Sequence, residues 1–334
     1  MKIIVDAMGG DNAPHAIIEG CALALAESQE LELILTGRRN MIEAELSKYN
    51  CDAARINIVD AAEVIDMAEP PVEAIRRKKD SSLVKGMRLL QIGEAGALVT
   101  AGSTGATIAG ATLIVKRLPN VKRPALAPLL PTRQGKVLLI DCGANAECRP
   151  SFLAQFALMG SIYMRQMEGV KSPRVGLVNN GAEAEKGNEL TKAAYKLLEE
   201  MPINFVGNAE GRDLVSGDYD VIVCDGFTGN VILKFMEGVA GVLMGMLKDE
   251  LSSSFRTKMG AALAMPAFNS FKKKMDYTEY GGALMLGVNG GVIKAHGSSN
   301  AKAIQSTLRQ AAGFIGADVV GVIKEEISKV SLSD

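Results

Sequence analysis

The segment Lys2-Ile-Ile-Val-Asp-Ala-Met-Gly-Gly-Asp-Asn-Ala-Pro14 decides the fold class, because in it an apolar run leads directly into a glycine turn. Lys2 to Val5 predicts a core strand, and Ala13 to Ser28 predicts a helix whose apolar residues fall at helical spacing. Three more polar, glycine-bearing turns also follow apolar runs and precede helical sequence. We number the four turns in chain order as the first (residues 7–14), second (101–106), third (225–230) and fourth (295–299).

Apolar runs alternate with amphipathic stretches along most of the chain. The remaining runs are Leu31–Thr36, Ile56–Val59, Ala97–Thr100, Lys136–Ile140, Arg174–Val178, Ile203–Val206 and Val221–Cys224. Most precede helical sequence, which favours an α/β fold with a mostly parallel sheet covered by helices on both faces. Ligands bind such sheets beyond the carboxyl ends of the strands. Glycines admit close approach and helix N-termini favour anions, so the four turns together predict an anion site, although each alone is typical of an ordinary connection.

Composition narrows the class of protein. The chain has 334 residues, of which 48% are hydrophobic, and contains neither a repeat nor a marked linker, so we expect one α/β/α catalytic domain over residues 1–334. The net charge of −1 gives no general reason to expect nucleic-acid binding. The N-terminus leads straight into a strand instead of a signal peptide. The best apolar stretch, Val231 to Leu247, is interrupted by Lys234 and Glu237, so we expect a cytoplasmic protein without a membrane span.

Cysteine and histidine usage indicates that the protein binds no metal. The five cysteines form no CxxC pair and are odd in number, which favours reduced thiols over disulfides or structural zinc. Only two histidines are present. His15 is expected to cap a helix or face solvent, whereas His296 lies inside the fourth turn and is a candidate site residue.

Two regions break the alternation of strands and helices. The first follows Pro70 and Pro71 and carries four consecutive basic residues, Arg76, Arg77, Lys78 and Lys79. Such a run is usually a solvated helix face, and the alternative is a docking patch for an acidic partner.

The second region, residues 231–275, is predicted to be a helical subregion that mediates dimerisation or faces a membrane. Its first half is apolar on almost every side and must be covered by a second helix, from this chain or another. Its second half combines Leu263, Met265, Phe268 and Phe271 with Lys272-Lys-Lys274, and is interrupted by Pro266. This combination suits a tip that lies in a bilayer surface, while a core or dimer contact remains the alternative.

Eight motifs together carry a resemblance to one family. They are Val5-Asp-Ala-Met-Gly-Gly-Asp11, Ser103-Thr-Gly105, Arg123-Pro-Ala-Leu-Ala-Pro128, Asp141-Cys-Gly-Ala-Asn145, Lys186-Gly-Asn-Glu-Leu-Thr-Lys192, Asp225-Gly-Phe-Thr-Gly-Asn230, Tyr280-Gly-Gly282 and Lys294-Ala-His-Gly-Ser-Ser299. The chain resembles the bacterial phosphate acyltransferases of phospholipid synthesis along nearly its whole length. The resemblance implies transfer of a long fatty acyl group from acyl carrier protein to inorganic phosphate. It also implies a homodimer, an isopropylmalate-dehydrogenase-like fold shared with phosphotransacetylases, and peripheral association with a membrane.

This chemistry needs no enzyme nucleophile or cofactor. Inorganic phosphate near neutral pH is partly a dianion, so its attack on a thioester depends on positioning and on charge stabilisation. Lys186 is predicted to hold phosphate or stabilise developing charge, and Asn230 to donate to the thioester oxygen. Without the resemblance, a surface lysine and a helix cap are equally good interpretations. Residues predicted to bind phosphate or substrate are Gly9, Gly10, Ser103, Thr104, Gly105, Asn145, Asp225, His296, Gly297 and Ser298.

Two alternative functions remain open from the sequence. The segment from Lys294 to Ser299 resembles the nucleotide-binding turn of isopropylmalate-type dehydrogenases, which use a metal and NAD. However, the chain shows neither an Asp-rich helix for magnesium nor an arginine-rich substrate motif. The other alternative is a non-catalytic scaffold that binds carrier protein and membrane. This alternative assigns no function to the glycine turns.

Overall fold

The computed structural model describes residues 1–275 and 281–331. Tyr280 and the side chains of Lys272, Lys273 and Lys274 lie outside the described part. The strands are β1 Lys2–Asp6, β2 Glu32–Gly37, β3 Ile56–Asp60, β4 Ala97–Thr100, β5 Ala125–Ala127, β6 Leu129–Thr132, β7 Gly135–Ile140, β8 Arg174–Asn179, β9 Asn204–Glu210, β10 Val221–Val223, β11 Ala283–Leu286 and β12 Gly291–Lys294. The helices are α1 His15–Glu27, α2 Arg39–Leu46, α3 Pro71–Arg77, α4 Ser82–Gln91, α5 Thr104–Gly110, α6 Pro150–Glu168, α7 Glu189–Glu199, α8 Gly226–Ser252, α9 Phe255–Met275, α10 Ala301–Gly316 and α11 Val319–Ser328.

The strands form two sheets instead of the single sheet that the sequence predicted. The first has the order β3-β2-β1-β4-β12-β11-β5 and the second β6-β7-β10-β8-β9. Neighbours from β3 through β12 and from β7 through β9 are parallel, whereas β11 and β6 run antiparallel to their neighbours. The α/β class with mostly parallel strands is therefore confirmed, and each sheet is mixed.

Short strands explain why the sequence did not predict two sheets. β5 has three residues between Pro124 and Pro128, and β6 contains Pro131. Proline cannot donate a backbone hydrogen bond to a neighbouring strand, and β6 tolerates it because it lies at the edge of the second sheet. The longer runs matched their predicted positions within a few residues, because each is a buried apolar segment bounded by turn residues.

One cluster of buried apolar side chains extends through both sheets. It includes Val5 and Val99 from the first sheet and Leu138 and Val223 from the second. Helix α6 supplies the largest side chains of this cluster, among them Phe156 and Tyr163, which are fully buried. The two sheets are thus packed on one continuous core. The assignment of residues 1–334 to one domain stays a prediction.

Helices α8 and α9, residues 226–275, form a helical arm with many exposed apolar side chains. Of α8, only Gly226 and Gly229 near its start are buried. Among the described residues, α8 is the one helix with the length and apolar composition needed to cross a membrane, which by itself is weak evidence for a span. Helix α9 packs against α8 and continues through Pro266, where the sequence predicted an interruption. A proline removes one backbone donor, and here the helix is maintained on both sides of it.

Candidate functional site

Three of the glycine turns are joined directly by hydrogen bonds at the carboxyl ends of β1, β4 and β12. The backbone N–H of Asp11 donates to Gly297 O over 2.8 Å, and that of Ala295 donates to Thr100 O over 2.8 Å. The Asn12 side-chain amide donates to Ser298 O over 3.1 Å. These strands are adjacent and parallel, so the first, second and fourth turns meet at one edge of the first sheet.

The third turn comes from the second sheet and begins α8. Asp225 caps this helix by accepting from the backbone N–H of Thr228 over 2.9 Å and from its hydroxyl over 2.7 Å. The N–H of Gly226 donates to Asn145 O over 2.7 Å, which fixes the turn against the segment that follows β7. The first turn of α8 is therefore held rigidly at the end of the second sheet.

A cleft of about 120 Å³ lies where the two groups of turns face each other. Its polar lining residues are Thr104, Asn230, Lys234, Glu237, Lys294, His296 and Ser299. Its apolar wall includes Leu126, Leu129, Leu233 and Ala303. The cleft thus combines hydrogen-bonding groups with an apolar side, and it has room for the reacting groups of a substrate but not for a long chain.

Thr104, Asn230 and His296, all three predicted from the sequence to be site residues, line this cleft. The Asn230 side chain is exposed, and its amide makes no hydrogen bond with the described part of the chain. His296 Nδ1 lies 2.8 Å from Ser298 Oγ. Burial lowers the pKa of His296 below its ordinary value, so the imidazole is neutral around pH 7. Asn230 is therefore a donor available to a substrate, and His296 is an uncharged group beside it.

Lys294 is a cleft residue for which the sequence analysis assigned no role. It ends β12 and is only 7% exposed. Its Nζ donates to Ala101 O over 3.3 Å and to Ala295 O. Burial lowers its pKa to about 8, an effect that the charges of Asp6 and Asp11 oppose. The sequence pattern that could have indicated Lys294 is its position directly after the apolar run Gly291-Val-Ile293 and before a glycine turn.

Lys186 does not line the cleft described above. Its exposed side chain lies on the turn after β8, and its carbonyl accepts from the Asn179 amide over 3.1 Å. The adjoining residue Gly187 lines a second cavity of about 340 Å³, together with Asn180, Asn188, Asp225 and Thr228 among others. Thr228 precedes Asn230 by two positions on α8. The two predicted catalytic residues therefore lie near separate cavities beside the first turn of α8, and their roles stay predictions.

Several predicted phosphate-binding residues hold the turns together and do not line the cleft. A Cβ on Gly9 would lie 2.6 Å from Asp6 Oδ2 and 2.7 Å from Gly102 N, and one on Gly105 would lie 2.5 Å from Pro71 Cγ. These glycines are required by close packing. Gly10 has φ +103° and Gly297 lies against Asp11, so both also shape the joined turns.

The polar candidates Ser103, Asn145 and Ser298 also make internal hydrogen bonds. Ser103 is buried and caps α5 by accepting from Ala106 N over 3.4 Å. The Asn145 amide donates to Pro124 O over 2.8 Å and to Asp141 Oδ2 over 2.9 Å, which uses both of its N–H groups. Binding of phosphate by the Asn145 amide would require these two bonds to break.

Among the described cysteines, Cys142 is the one that lines the cleft. Burial raises the pKa of this thiol well above its ordinary value, and the charge of Asp141 raises it further. A thiol of this kind is protonated at neutral pH and is a poor nucleophile. In the described ranges, no group of three His, Cys, Asp or Glu side chains is placed to hold a metal ion.

The four basic residues that were predicted to dock an acidic partner differ in their exposure to solvent. Arg76, Arg77 and Lys79 are exposed at the end of α3. Lys78 is half-buried, and its Nζ donates to Val64 O and to the Glu69 carboxylate. Lys78 thus has an internal role, and only the other three basic side chains are directed to solvent.

The predicted membrane residues lie on α9. Leu263 is 84% exposed, and Met265 and Phe271 are about half exposed, whereas Phe268 is partly buried. The arm therefore presents large apolar side chains that no other part of the described chain covers.

Comparison with known proteins identifies the family. The family described as "Fatty acid synthesis protein" matches residues 1–321. A phosphate acyltransferase of Clostridium novyi (strain NT) is 52% identical over 329 residues, which cover 98% of this chain and 99% of that protein. The chain belongs to the phosphate acyltransferase family. The enzyme's reaction is accordingly an acyl transfer that involves phosphate.

Solved structures with a similar fold come from two kinds of enzyme. A phosphotransacetylase from Streptococcus pyogenes superimposes with a TM-score of 0.61 and 16% identity, covering 96% of this chain and 94% of that one. A putative 4-hydroxythreonine-4-phosphate dehydrogenase from Salmonella typhimurium has a TM-score of 0.52 and 12% identity, covering 94% and 98%. At these identities the likeness establishes the fold alone. The expected sharing of a fold with phosphotransacetylases is confirmed, whereas the isopropylmalate-dehydrogenase-like description stays a prediction.

Proposed function

We propose that the enzyme transfers a long-chain fatty acyl group from acyl carrier protein to inorganic phosphate and releases acyl phosphate for phospholipid synthesis. The observation that carries this proposal is the cleft in which the free Asn230 amide faces polar turns on one side and an apolar wall on the other. A thioester carbonyl needs the first environment and the start of an acyl chain needs the second.

In the proposed reaction, a phosphate oxygen attacks the thioester carbonyl carbon. The carbonyl oxygen becomes an oxyanion, to which the Asn230 amide donates a hydrogen bond that strengthens as charge develops. The carbon–sulfur bond then breaks, and the departing thiolate of the carrier protein takes up a proton from solvent. The neutral His296 imidazole adds a hydrogen-bonding group without repelling or neutralising the phosphate charge.

Transfer is proposed to be direct, without an acyl group on the enzyme. The protonated state of the buried Cys142 thiol supports this view, because thiol attack on a thioester needs the thiolate. Lys186 retains its proposed role as a cation for phosphate or developing charge, approaching from the opposite side of the first turn of α8. This placement is supported by the position of its turn, since the adjoining Gly187 lines the second cavity.

We propose that the helical arm completes a homodimer and lies on the cytoplasmic surface of the membrane. Residues of α8 up to Glu237 line the cleft, so its first three turns are fixed to the core. The remaining residues 238–252 extend about 22 Å at the helical rise, which is short of the roughly 30 Å hydrocarbon core of a bilayer. Surface association through Leu263, Met265, Phe268 and Phe271 therefore fits better than a span.

The carrier protein is proposed to dock through exposed basic side chains, because acyl carrier proteins are acidic. Arg76, Arg77 and Lys79 are available for this contact.

For the fold, we propose the isopropylmalate-dehydrogenase-like α/β/α arrangement, which is supported by strands buried beneath helices on both sides.

The decisive experiment incubates the purified protein with palmitoyl-acyl carrier protein and radiolabelled phosphate. We expect release of the carrier thiol that depends on phosphate, with formation of a labelled acyl phosphate. Thiol release that is independent of phosphate would contradict the proposal. Absorbance at the nicotinamide wavelength, measured in a parallel sample with NAD and a 2-hydroxy acid, tests the dehydrogenase alternative.

A further inference from the structure

Lys294 is a buried cation with an incomplete set of partners. It lies at the end of a central strand, between β4 and β11, and is 7% exposed. An ammonium group has three N–H donors, and the carbonyls of Ala101 and Ala295 accept two of them. Because Lys294 also lines the cleft, the remaining donor is available to a molecule bound there.

No carboxylate of the described residues forms an ion pair with this ammonium group. The nearest acidic influence comes from Asp6 and Asp11, whose charges favour the ammonium form, while Lys234 disfavours it. Asp6 is itself engaged, since its carboxylate accepts from Thr100 Oγ1 over 2.8 Å and from Met8 N over 3.2 Å. A buried charge without a counter-ion is costly, and an anion in the cleft would offset that cost.

We propose that Lys294 Nζ binds the inorganic phosphate that attacks the thioester, which makes Lys294 a catalytic residue alongside Asn230. This inference rests on the proposed function. Phosphate held by Lys294 would lie among the turns of the first sheet, while Asn230 approaches the thioester oxygen from the second sheet. Lys294 from the first sheet and Asn230 from the second would then each contact one of the two reactants.

The pH dependence of kcat/KM for phosphate distinguishes a lysine that binds phosphate from one that only stabilises the fold. The charged groups that act on Lys294 are Asp6 and Asp11, which favour its ammonium form, and Lys234, which disfavours it. Burial raises the pKa of Asp6, and burial together with the charge of Lys294 lowers that of His296. Since burial lowers the pKa of Lys294 to about 8, we expect kcat/KM for phosphate to fall as the pH rises above that value. Lys294→Arg should remove this fall, because guanidinium stays charged.

The main experiment measures the KM for phosphate with palmitoyl-N-acetylcysteamine, a thioester that carries no phosphate of its own. Lys294→Met should raise this KM at least about tenfold, as expected for loss of a charge-assisted hydrogen bond. Lys302→Met, which removes an exposed lysine of α10, serves as the matched control and should leave KM unchanged. If KM rises only with palmitoyl-acyl carrier protein, Lys294 binds the carrier's own phosphate and the inference is wrong.

A second measurement uses the unmodified enzyme and does not depend on folding of a variant or on activity. Inorganic phosphate should protect Lys294, but not Lys302, from acetylation by acetic anhydride, as read by peptide mass spectrometry. An unchanged extent of modification, or none in either sample, would overturn the inference, because a group that contacts soluble phosphate must be reachable. If phosphate protects Lys294 from acetylation but the enzyme releases no thiol, phosphate binding by Lys294 is supported and the proposed acyl transfer is wrong.

Discussion

The two ends of α8 differ sharply in how closely they are packed. At its start, Gly226 and Gly229 are buried against the segment after β7, and a Cβ on Gly229 would overlap the carbonyl oxygen of Asp141. Farther along, apart from the adjoining residues and the backbone of the same helix, no atom of the described residues lies within 4 Å of a Cβ placed on Gly238, Gly241 or Gly245. One helix thus begins in a fully packed site and continues as a largely exposed apolar arm that packs against α9. The packed end fixes the position of the cleft residues on α8. The open end exposes apolar side chains that need a partner subunit or a membrane to cover them.

Gly229→Ala should have the largest effect on stability. The added methyl group meets backbone atoms that cannot rotate away, so we expect a loss of about 3 kcal/mol in the free energy of unfolding. Gly241→Ala is the matched change on the open end and should raise stability by about 0.5–1 kcal/mol, since alanine favours the helix. Urea denaturation measures both. A destabilising Gly241→Ala would mean that a partner packs tightly against that position.

Asn230→Ala tests the chemistry of the packed end. Loss of a donor to the developing oxyanion should lower kcat by about a hundredfold, which corresponds to about 2.7 kcal/mol. Val231→Ala, at the next position and exposed, should leave turnover nearly unchanged. Turnover is measured as phosphate-dependent thiol release, with circular dichroism as the check on folding. A folded Asn230→Ala enzyme with ordinary turnover would remove this amide from the mechanism.

Lys186→Ala tests whether the second cavity takes part in the reaction. If Lys186 acts in the transition state as the sequence predicts, turnover should also fall by about a hundredfold. Lys192→Ala, which removes an exposed lysine from the following helix, provides the control. The same thiol-release assay applies. Equal activities of the two variants would confine the site to the cleft that contains Asn230.

A double variant, Leu263→Glu with Phe268→Glu, tests the open end. Two charges at apolar positions should abolish sedimentation with anionic liposomes, because insertion and electrostatic attraction act together there. The dimer and the soluble thiol-release activity should persist. Leu23→Glu places a charge on a partly exposed leucine of α1 and should not affect liposome binding. Unfolding or dissociation of the double variant would show that these residues belong to a core or a dimer interface.

Charge reversal of Arg76, Arg77 and Lys79 should have the smallest effect. We expect the KM for acyl carrier protein to rise several-fold and its salt dependence to weaken, with little change for a small thioester. Lys78→Glu is the contrasting variant, because Lys78 pairs internally with Glu69 and its loss should mainly lower stability. Equal increases in KM for both substrates would point to a structural role of the run.

The sequence predicted most strands because each is an apolar segment bounded by turn residues, as in β1, β4 and β8. It did not predict β5 or β6, whose short runs are flanked or interrupted by prolines, and it did not predict β11. Their antiparallel pairing and the division into two sheets are set by tertiary contacts. Short runs of this kind cannot be assigned without those contacts.

The site was predictable in its location but not in its details. The four turns and the residues Asn230 and His296 follow from local patterns, and they meet as expected at the carboxyl ends of strands. A glycine that packs against another turn, such as Gly9, looks in sequence like one that contacts a ligand. The opposite placements of Lys186 and Lys294 depend on which sheet each turn belongs to, which no local pattern records.

The position of β12 has a consequence for the order in which the protein is made. This strand is the last to be synthesised, yet it lies in the interior of the first sheet between β4 and β11. Because synthesis proceeds from the N-terminus at about 5–20 residues per second, a nascent chain that stops short of residue 291 must leave the β4 edge open. Lys294 and His296 then arrive together with the strand that closes that edge. Completion of the sheet and completion of the cleft are thus one event, and we expect a ribosome-bound chain truncated before β12 to be both inactive and prone to pair its open edge with another strand.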